Sequence, residues 1–150
     1  MRAACAGIVS TSPQPATLPL PSPQHLSMNG PEIVKFTLEA VPQCANDLYQ
    51  KAGITAQDVD YFVFHQANGY MLEHLRQKMG IPEEKFALCV RDSGNTVFAT
   101  VPIALHDGIK NGRIRPGMRV MVMDFGVGLS WAATLVRLYD RRHPSLPCRP

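Results

Sequence analysis

The sequence predicts an α/β domain in which a mixed sheet carries helices packed on its faces. Between residues 31 and 139, short apolar runs typical of buried strands alternate with segments whose apolar residues recur every three or four positions, as in amphipathic helices. Strands separated by helices imply parallel or mixed pairing. The last two apolar runs are joined by a short glycine-containing turn, which favours antiparallel pairing of that final pair.

The first predicted elements are a long helix and a short strand. The helix spans residues 31–52, where apolar side chains recur at threes and fours. Pro42 is expected to kink or divide this helix, and Gly53 is a natural C-terminal stop. Residues 59–64 read VDYFVF, a mostly apolar run typical of a strand that is covered on both faces.

A second helix and a second strand come next in the prediction. The helix opens at Asn68 or Gly69 and carries an inward-facing stripe of methionine and leucine side chains. Residues 86–90 read FALCV and are predicted to form a strand. Residues 91–95 are predicted to form a tight turn, because they combine serine, glycine, asparagine and aspartate.

The last predicted elements are a third helix and two strands. The helix covers about 97–110, and the first of the two strands covers 119–125. A turn through Gly126 and Gly128 then leads into the final strand, residues 129–138.

Charge and proline content divide the chain into three parts. Residues 1–30 are a proline-rich arm or remnant, residues 31–139 the folded domain, and residues 140–150 a basic tail that contains proline. The net charge is +3, but the basic and acidic residues of the folded domain cancel. We therefore expect no nucleic-acid partner, since such a partner requires a basic face on the folded part. No apolar run approaches the ~18 residues of a membrane span and no signal segment is visible, so we expect no membrane partner and a cytoplasmic location.

A histidine stands at the point where the first predicted strand gives way to a helix, in the sequence His65-Gln66-Ala67-Asn68. Ligands of open α/β sheets gather outside the carboxyl ends of the strands. An imidazole there could donate to a developing oxyanion or move a proton near neutral pH. The alternative is a histidine whose ring is satisfied by the local backbone.

Asn95 follows the next predicted strand, within Ser93-Gly94-Asn95-Thr96. Its side chain could cap the helix that starts near Thr96. It could also be a carboxamide held rigidly beside the histidine as a hydrogen-bond donor. The residues themselves leave both interpretations open.

After His65 and Asn95, the turn Gly126-Val127-Gly128 is the third candidate site feature at the end of a predicted strand. Its glycines could simply permit a positive φ, or a backbone N–H of the turn could point at an oxyanion. A dinucleotide-binding motif is not indicated, because that motif needs a longer glycine pattern and a helix after the turn.

In this order and at these spacings, the features resemble the C-terminal half of a beta-ketoacyl-acyl-carrier-protein synthase III. The resemblance runs from about His25 to Leu138 and rests on VFHQAN (63–68), GNT (94–96) with VPIAL (101–105), DGIKNGRIRPG (107–117) and DFGVGLSWAATLVRL (124–138). It implies a thiolase-like half-domain, one of two similar α/β halves. It also implies that an acyl group, brought by acyl-coenzyme A and held on a cysteine, is condensed with malonyl-acyl carrier protein, with no cofactor or metal.

The resemblance assigns roles to four residues. His65 and Asn95 match the family's active-site histidine and asparagine, which hydrogen-bond the malonyl thioester oxygen while carbon dioxide leaves. Two donors at that oxygen suit the chemistry, because decarboxylation creates an enolate. Asn68 matches a position near the pantetheine arm. Val127 matches the middle of a glycine-rich turn whose backbone N–H helps to form the acyl oxyanion hole.

The helix after His65 matches the family's docking surface for acyl carrier protein. Arg76 and Lys78 are the candidate docking residues for this acidic partner. Tyr70 occupies a position at which family members carry a basic residue. Phe98 stands where a small residue is usual, so the packing of the site is expected to differ from that of its relatives.

The nucleophilic cysteine belongs to the family's first half, and two interpretations of the present N-terminus compete. In one, residues 7–11 are the remnant of the first strand of the second half, and the nucleophile is absent. In the other, residues 3–7 resemble the nucleophile motif, and Cys5 is its cysteine. Cys44 and Cys89 fall on apolar faces and are expected in the core.

These observations lead to two hypotheses. The chain is the C-terminal part of an acyltransferase of fatty acid or related biosynthesis, incomplete without an acyl-accepting thiol. Alternatively, it is a non-catalytic interaction subunit that needs a separate N-terminal half. Acyl carrier protein is the expected partner, together with a second copy of the chain or that separate half.

Overall fold

A computed structural model describes residues 2–4, 10–11, 29–126 and 129–139. Two predicted site residues, Cys5 and Val127, lie outside these ranges. The strands are β1 (Arg2–Ala4), β2 (Ser10–Thr11), β3 (Tyr61–Phe64), β4 (Arg119–Gly126) and β5 (Ser130–Arg137). The helices are α1 (Gly30–Ala52), α2 (Gly69–Lys78), α3 (Val90–Ser93) and α4 (Thr100–Lys110), with single 3-10 turns at Ala56–Asp58, Glu83–Lys85 and Val97–Ala99.

The strands form one mixed sheet in the order β1-β5-β4-β3, and β2 also pairs with β5. β3 and β4 are parallel, with Phe64 opposite Met123 at the end of the pair. β4 and β5 are antiparallel along their whole length, from Arg119 opposite Arg137 to Gly126 opposite Ser130. The predicted mixed sheet and its antiparallel final pair are therefore confirmed.

Helices cover both faces of the central strands. Successive residues of a strand point to opposite sides, so a strand that is covered on both faces has every residue buried. All four residues of β3 are buried. On one face the core joins the sheet to α1 and α2, and it includes Val41, Cys44, Leu48, Phe62, Phe64, Leu72, Leu75, Met121 and Met123. On the other face the core joins the sheet to α4, and it includes Tyr61, Val63, Ala104, Ile114 and Val120.

Helix α1 is continuous through Pro42, so the division that the sequence allowed there does not occur. Proline has no N–H to donate to the carbonyl four residues earlier, that of Leu38. The ammonium group of Lys78 on α2 donates to this carbonyl instead, at 2.7 Å. The helix ends at Gly53 as predicted, with φ of 62°, in the left-handed region that favours glycine.

The strand predicted over residues 86–90 is wrong. Only Phe86 pairs with the sheet, through an isolated parallel bridge to Phe62. Beyond it, the backbone turns into α3. The physical reason is the buried side chain of Gln66, whose amide takes the hydrogen bonds that a neighbouring strand would otherwise make with this segment.

Within the described ranges, no helix combines the length and the apolar character that crossing a bilayer requires.

Candidate functional site

His65 lies directly after β3, at the carboxyl end of the parallel pair β3 and β4. Its backbone N–H donates to the carbonyl of Met123 at 2.9 Å, which continues the ladder by one residue. The imidazole is mostly buried, with 13% of the side chain exposed. Its ring packs edge-on against Phe125, with centroids 5.3 Å apart. The strand ladder and this ring contact fix where the imidazole points.

Two side chains from distant parts of the sequence contact the same nitrogen of His65. Nδ1 is 2.9 Å from Oγ1 of Thr100, at the start of α4. It is also 3.0 Å from Oδ1 of Asp124, on β4. The ring's partners are therefore side chains of neighbouring elements rather than the local backbone. Among the described residues, both polar contacts of the ring are at Nδ1, so Nε2 is the atom that can meet a ligand.

Asn95 neither caps α4 nor forms a hydrogen bond with His65. Its Oδ1 accepts from the backbone N–H of Val97 at 3.0 Å, closing a small turn. The carbonyl of Val97 in turn accepts from the hydroxyl of Thr100 at 3.0 Å. Val97 has φ of 55°, which is unfavourable for a β-branched residue. Hydrogen bonds on both sides of Val97 thus hold this conformation and connect the predicted pair, His65 and Asn95.

Asn68 serves as the N-cap of α2. Its Oδ1 accepts from the backbone N–H of Met71 at 2.8 Å. Asn68 also lines an open cavity of about 550 Å³ together with Leu88 and Arg91. Since the cap uses the side-chain oxygen, the amide NH₂ is the part of Asn68 that could donate to a ligand.

Arg76 and Lys78, the candidate docking cations, both make contacts within the chain. Arg76 pairs with Glu73, with Nε 2.9 Å from Oε2, and donates to the carbonyl of Ile81 at 2.9 Å. Hydrogen bonds from Arg76 and Gln77 lower the pKa of Glu73 to about 2. Lys78 binds the α1 carbonyl described above. Each cation thus already neutralises or satisfies a group of this domain.

The two described cysteines are not activated thiols. Both Cys44 and Cys89 are free, and burial raises the pKa of each thiol. A nucleophilic cysteine needs the opposite shift, because the thiolate is the reactive form. Cys44 lies in the core as expected, whereas Cys89 is half-buried and packs against the edge of the core on the α4 side. No cluster of histidine, cysteine, aspartate and glutamate in the described ranges is suited to hold a metal ion.

Three residues of the site were missed in the sequence. Gln66 is fully buried, and Thr100 and Asp124 contact His65. Thr100 gave no signal, since it lies within an ordinary helical pattern. Asp124 gave a weak one: it is an acid at the end of a buried strand, and parallel pairing with the strand before His65 would place the two side by side.

A mixed sheet covered by helices, with His65 directly after β3 and Asp124 near the end of β4, is the architecture of a thiolase-like α/β half-domain. A crystal structure of a 3-oxoacyl-(acyl-carrier-protein) synthase III matches with a TM-score of 0.78 and 37% identity, over 88% of this chain and 47% of the other. The corresponding synthase from Thermus thermophilus matches with a TM-score of 0.77 and 32% identity, over 87% of this chain and 44% of the other.

The sequence profile of the 3-oxoacyl-[acyl-carrier-protein] synthase III C-terminal family matches residues 49–138, and the chain belongs to that family. A beta-ketoacyl-[acyl-carrier-protein] synthase III from Nitratidesulfovibrio vulgaris is 42% identical over 110 residues, which are 73% of this chain and 33% of that protein. The chain spans about a third of the length of the curated relatives it matches.

Proposed function

We propose that this chain supplies the decarboxylating half of a beta-ketoacyl-acyl-carrier-protein synthase III, which condenses an acyl group with malonyl-acyl carrier protein. The observation that carries the proposal is the placement of His65. Its ring is fixed at Nδ1 by Thr100 and Asp124 and linked through Val97 to Asn95. A side chain held in this way is preorganised for chemistry at its free nitrogen.

The proposed step begins with cleavage of the bond between the malonyl carboxylate and its α-carbon. Carbon dioxide leaves, and the electron pair spreads from the α-carbon onto the thioester oxygen as an enolate. His65 and the amide NH₂ of Asn95 donate hydrogen bonds to that oxygen. The α-carbon then attacks the acyl carbonyl, so that a carbon–carbon bond forms, the carbon–sulfur bond breaks and the sulfur that carried the acyl group leaves as a thiolate. Removing one such donor from an enzyme typically costs about 10²–10³ in rate.

The acyl group needs a thiol, and neither described cysteine has the environment of one. We assign this role to a cysteine of a separately supplied N-terminal half or to Cys5. Val127 is assigned the oxyanion-hole N–H that faces this acyl group. Both residues lie outside the described ranges, so these two assignments rest on the resemblance of the sequence.

Release of carbon dioxide from malonyl-coenzyme A by the 150-residue chain tests the decarboxylation role. We expect His65→Ala and Asn95→Ala each to lower this rate by about 10²-fold. His74→Ala is the matched control, because this exposed histidine on α2 contacts Tyr70 rather than the site. Equal rates for all three variants would refute the proposed function.

The substrates are assigned to the surface around α2. The amide of Asn68 and the cavity beside it would hold the pantetheine arm of acyl-coenzyme A or acyl carrier protein. Arg76 and Lys78, in the last turn of α2, would face the acidic carrier. Arg76→Ala and Lys78→Ala should raise KM for malonyl-acyl carrier protein more than for malonyl-coenzyme A. Lys35→Ala, an exposed lysine of α1, should change neither value.

A second candidate function is that of an interaction subunit without its own activity. It is favoured by four large apolar side chains that are exposed in the segments around the site: Tyr70, Leu88, Val97 and Phe98. Phe98 is 90% exposed. Where exposed apolar side chains form a patch, that patch usually marks a partner-binding site. Co-purification with the N-terminal half of a relative, weakened by Phe98→Ser, would support this function, whereas a measurable rate of decarboxylation that depends on His65 would favour the first one.

A further inference from the structure

Asp124 faces His65 in a way that determines where the ring carries its proton. Parallel pairing of β3 with β4 sets Phe64 opposite Met123, so the next residue of each chain segment is brought to the same edge. Oδ1 of Asp124 lies 3.0 Å from Nδ1 of His65. The same oxygen accepts from the backbone N–H of Phe125 at 3.0 Å, which holds the carboxylate in place.

The second group at Nδ1 also acts as an acceptor. Thr100 has a single hydroxyl proton, and its Oγ1 is 3.0 Å from the carbonyl of Val97, which can only accept. With the proton donated there, a lone pair of the hydroxyl oxygen faces Nδ1 of His65 at 2.9 Å. A carboxylate, too, has no proton to give. Both neighbours of Nδ1 therefore require a proton on that nitrogen.

The other tautomer would be unfavourable for two separate reasons. With Nδ1 unprotonated, the ring lone pair would lie 3.0 Å from the negative oxygen of Asp124. Thr100 would have to turn its proton toward the ring, and the carbonyl of Val97 would lose its hydrogen bond. An acceptor next to one ring nitrogen commonly sets the protonation of the other.

From this geometry we infer that Asp124 is a positioning residue, which holds His65 in the Nδ1–H form and leaves Nε2 as the ligand-facing atom. In the neutral ring, Nε2 is then an acceptor. It becomes a donor only in the imidazolium, whose charge Asp124 compensates. The consequence for catalysis, which rests on the proposed function, is that His65 holds the enolate oxygen through a charged hydrogen bond, and such bonds are about twice as strong as neutral ones.

The tautomer is measured on the full chain, labelled with ¹⁵N-histidine, by two-bond ¹H–¹⁵N correlation spectra; His65→Asn identifies the ring. We expect the neutral ring of the unchanged chain to carry its proton on Nδ1. Asp124→Ala should transfer a measurable fraction of it to Nε2, because one of the two acceptors that favour a proton on Nδ1 is then lost. Asp124→Asn, oriented with its carbonyl oxygen toward the ring, should restore the Nδ1–H form. Asp92→Ala, an exposed carboxylate of α3, is the matched control.

An Nε2–H ring in the unchanged chain, or a tautomer that Asp124→Ala leaves unaltered, would overturn the inference. Because Asp124 is largely exposed, with 58% of its side chain accessible, we expect these variants to fold, and circular dichroism verifies this. In the decarboxylation assay, Asp124→Ala and Asp124→Asn should each lower kcat about tenfold with KM unchanged, since both lose the compensating charge. A changed tautomer with an unchanged kcat would keep the positioning role and refute the charged hydrogen bond. If His65→Ala also left the rate unchanged, the proposed function would fail independently.

Discussion

Gln66 shows how one side chain can set the path of the backbone beside the site. Its Nε2 donates to the carbonyls of Phe64 and Ala87, at 2.8 and 3.2 Å. Its Oε1 accepts from the N–H groups of Cys89 and Val90, at 2.9 and 3.2 Å. These four bonds use the full capacity of a carboxamide. The side chain after His65 thus joins the end of β3 to the start of α3.

We expect Gln66→Leu to lower the free energy of unfolding by about 3 kcal/mol, because a side chain of similar size would leave several buried backbone groups without partners. Urea denaturation measures the change. Gln50→Leu, at an exposed position of α1, should stay within about 0.5 kcal/mol of the unchanged protein. A similar small effect for Gln66→Leu would mean that these hydrogen bonds contribute little.

At the scale of elements, a hydrogen bond joins α2 to α1 at the turn where Pro42 removes a backbone hydrogen bond of α1. The carbonyl of Leu38 has lost its helical partner, and Lys78 supplies another at 2.7 Å. The two helices also share the core around Leu48 and Leu72. A lysine in the last turn of α2 therefore compensates for a proline in the middle of α1.

A double-mutant cycle tests this compensation. Lys78→Met should cost about 1 kcal/mol in the unchanged chain and close to nothing in a Pro42→Ala background, because the backbone N–H of the introduced alanine would donate to the carbonyl of Leu38. Lys51→Met, an exposed lysine at the other end of α1 from Leu38, is the control for loss of charge. Equal costs of Lys78→Met in both backgrounds would exclude the compensation.

The ion pair on α2 gives this helix a defined response to acid. The pKa of Glu73 is lowered from 4.5 to about 2, chiefly by the hydrogen bond from Arg76. A lowered carboxyl pKa stabilises the fold at a pH above 4.5, and the contribution disappears as the pH falls through about 2. Glu73→Gln should therefore reduce the urea midpoint at pH 7 and leave it unchanged near pH 2. Glu39→Gln, an exposed acid of α1, should reduce neither; an equal loss from Glu73→Gln at both pH values would argue against the ion pair.

At the scale of the whole molecule, the sheet is central and its strand β5 is paired on both sides. β4 lies along one side of β5, and the N-terminal strands β1 and β2 lie along the other. Open strand edges invite pairing with other chains. The first residues of the N-terminal segment, which the sequence analysis described as a proline-rich arm or remnant, thus cover this edge.

Deletion of residues 1–11 should accelerate amide hydrogen exchange in β5 at the positions opposite β1 and β2. The expected increase is at least about tenfold, because these amides would lose a strand partner and meet water directly. Amides between β3 and β4 are the internal control. Unaltered protection in β5 after the deletion would show that the two short strands do not cover it.

Much of this organisation could be predicted from the sequence, because it depends on local patterns. The helix at 31–52 and the strand at 129–138 were placed within one residue of their observed bounds. The strand predicted over residues 86–90 was wrong. FALCV has the apolar pattern of a strand, but backbone groups of this segment form hydrogen bonds with the side chain of Gln66, which is distant in the sequence. The position of His65 at a strand end was readable as well, whereas its partners were not.

The sequence by itself determined the α/β class, the order of the main elements and the family, because the periodicity of apolar residues and a set of motifs are local properties. Only the tertiary structure decided which side chains contact His65. Parallel pairing brings Asp124 to His65, and packing of α4 adds Thr100, from 59 and 35 positions away in the chain. Contacts between residues so far apart in the chain depend on how strands and helices pack, and no local sequence pattern specifies them.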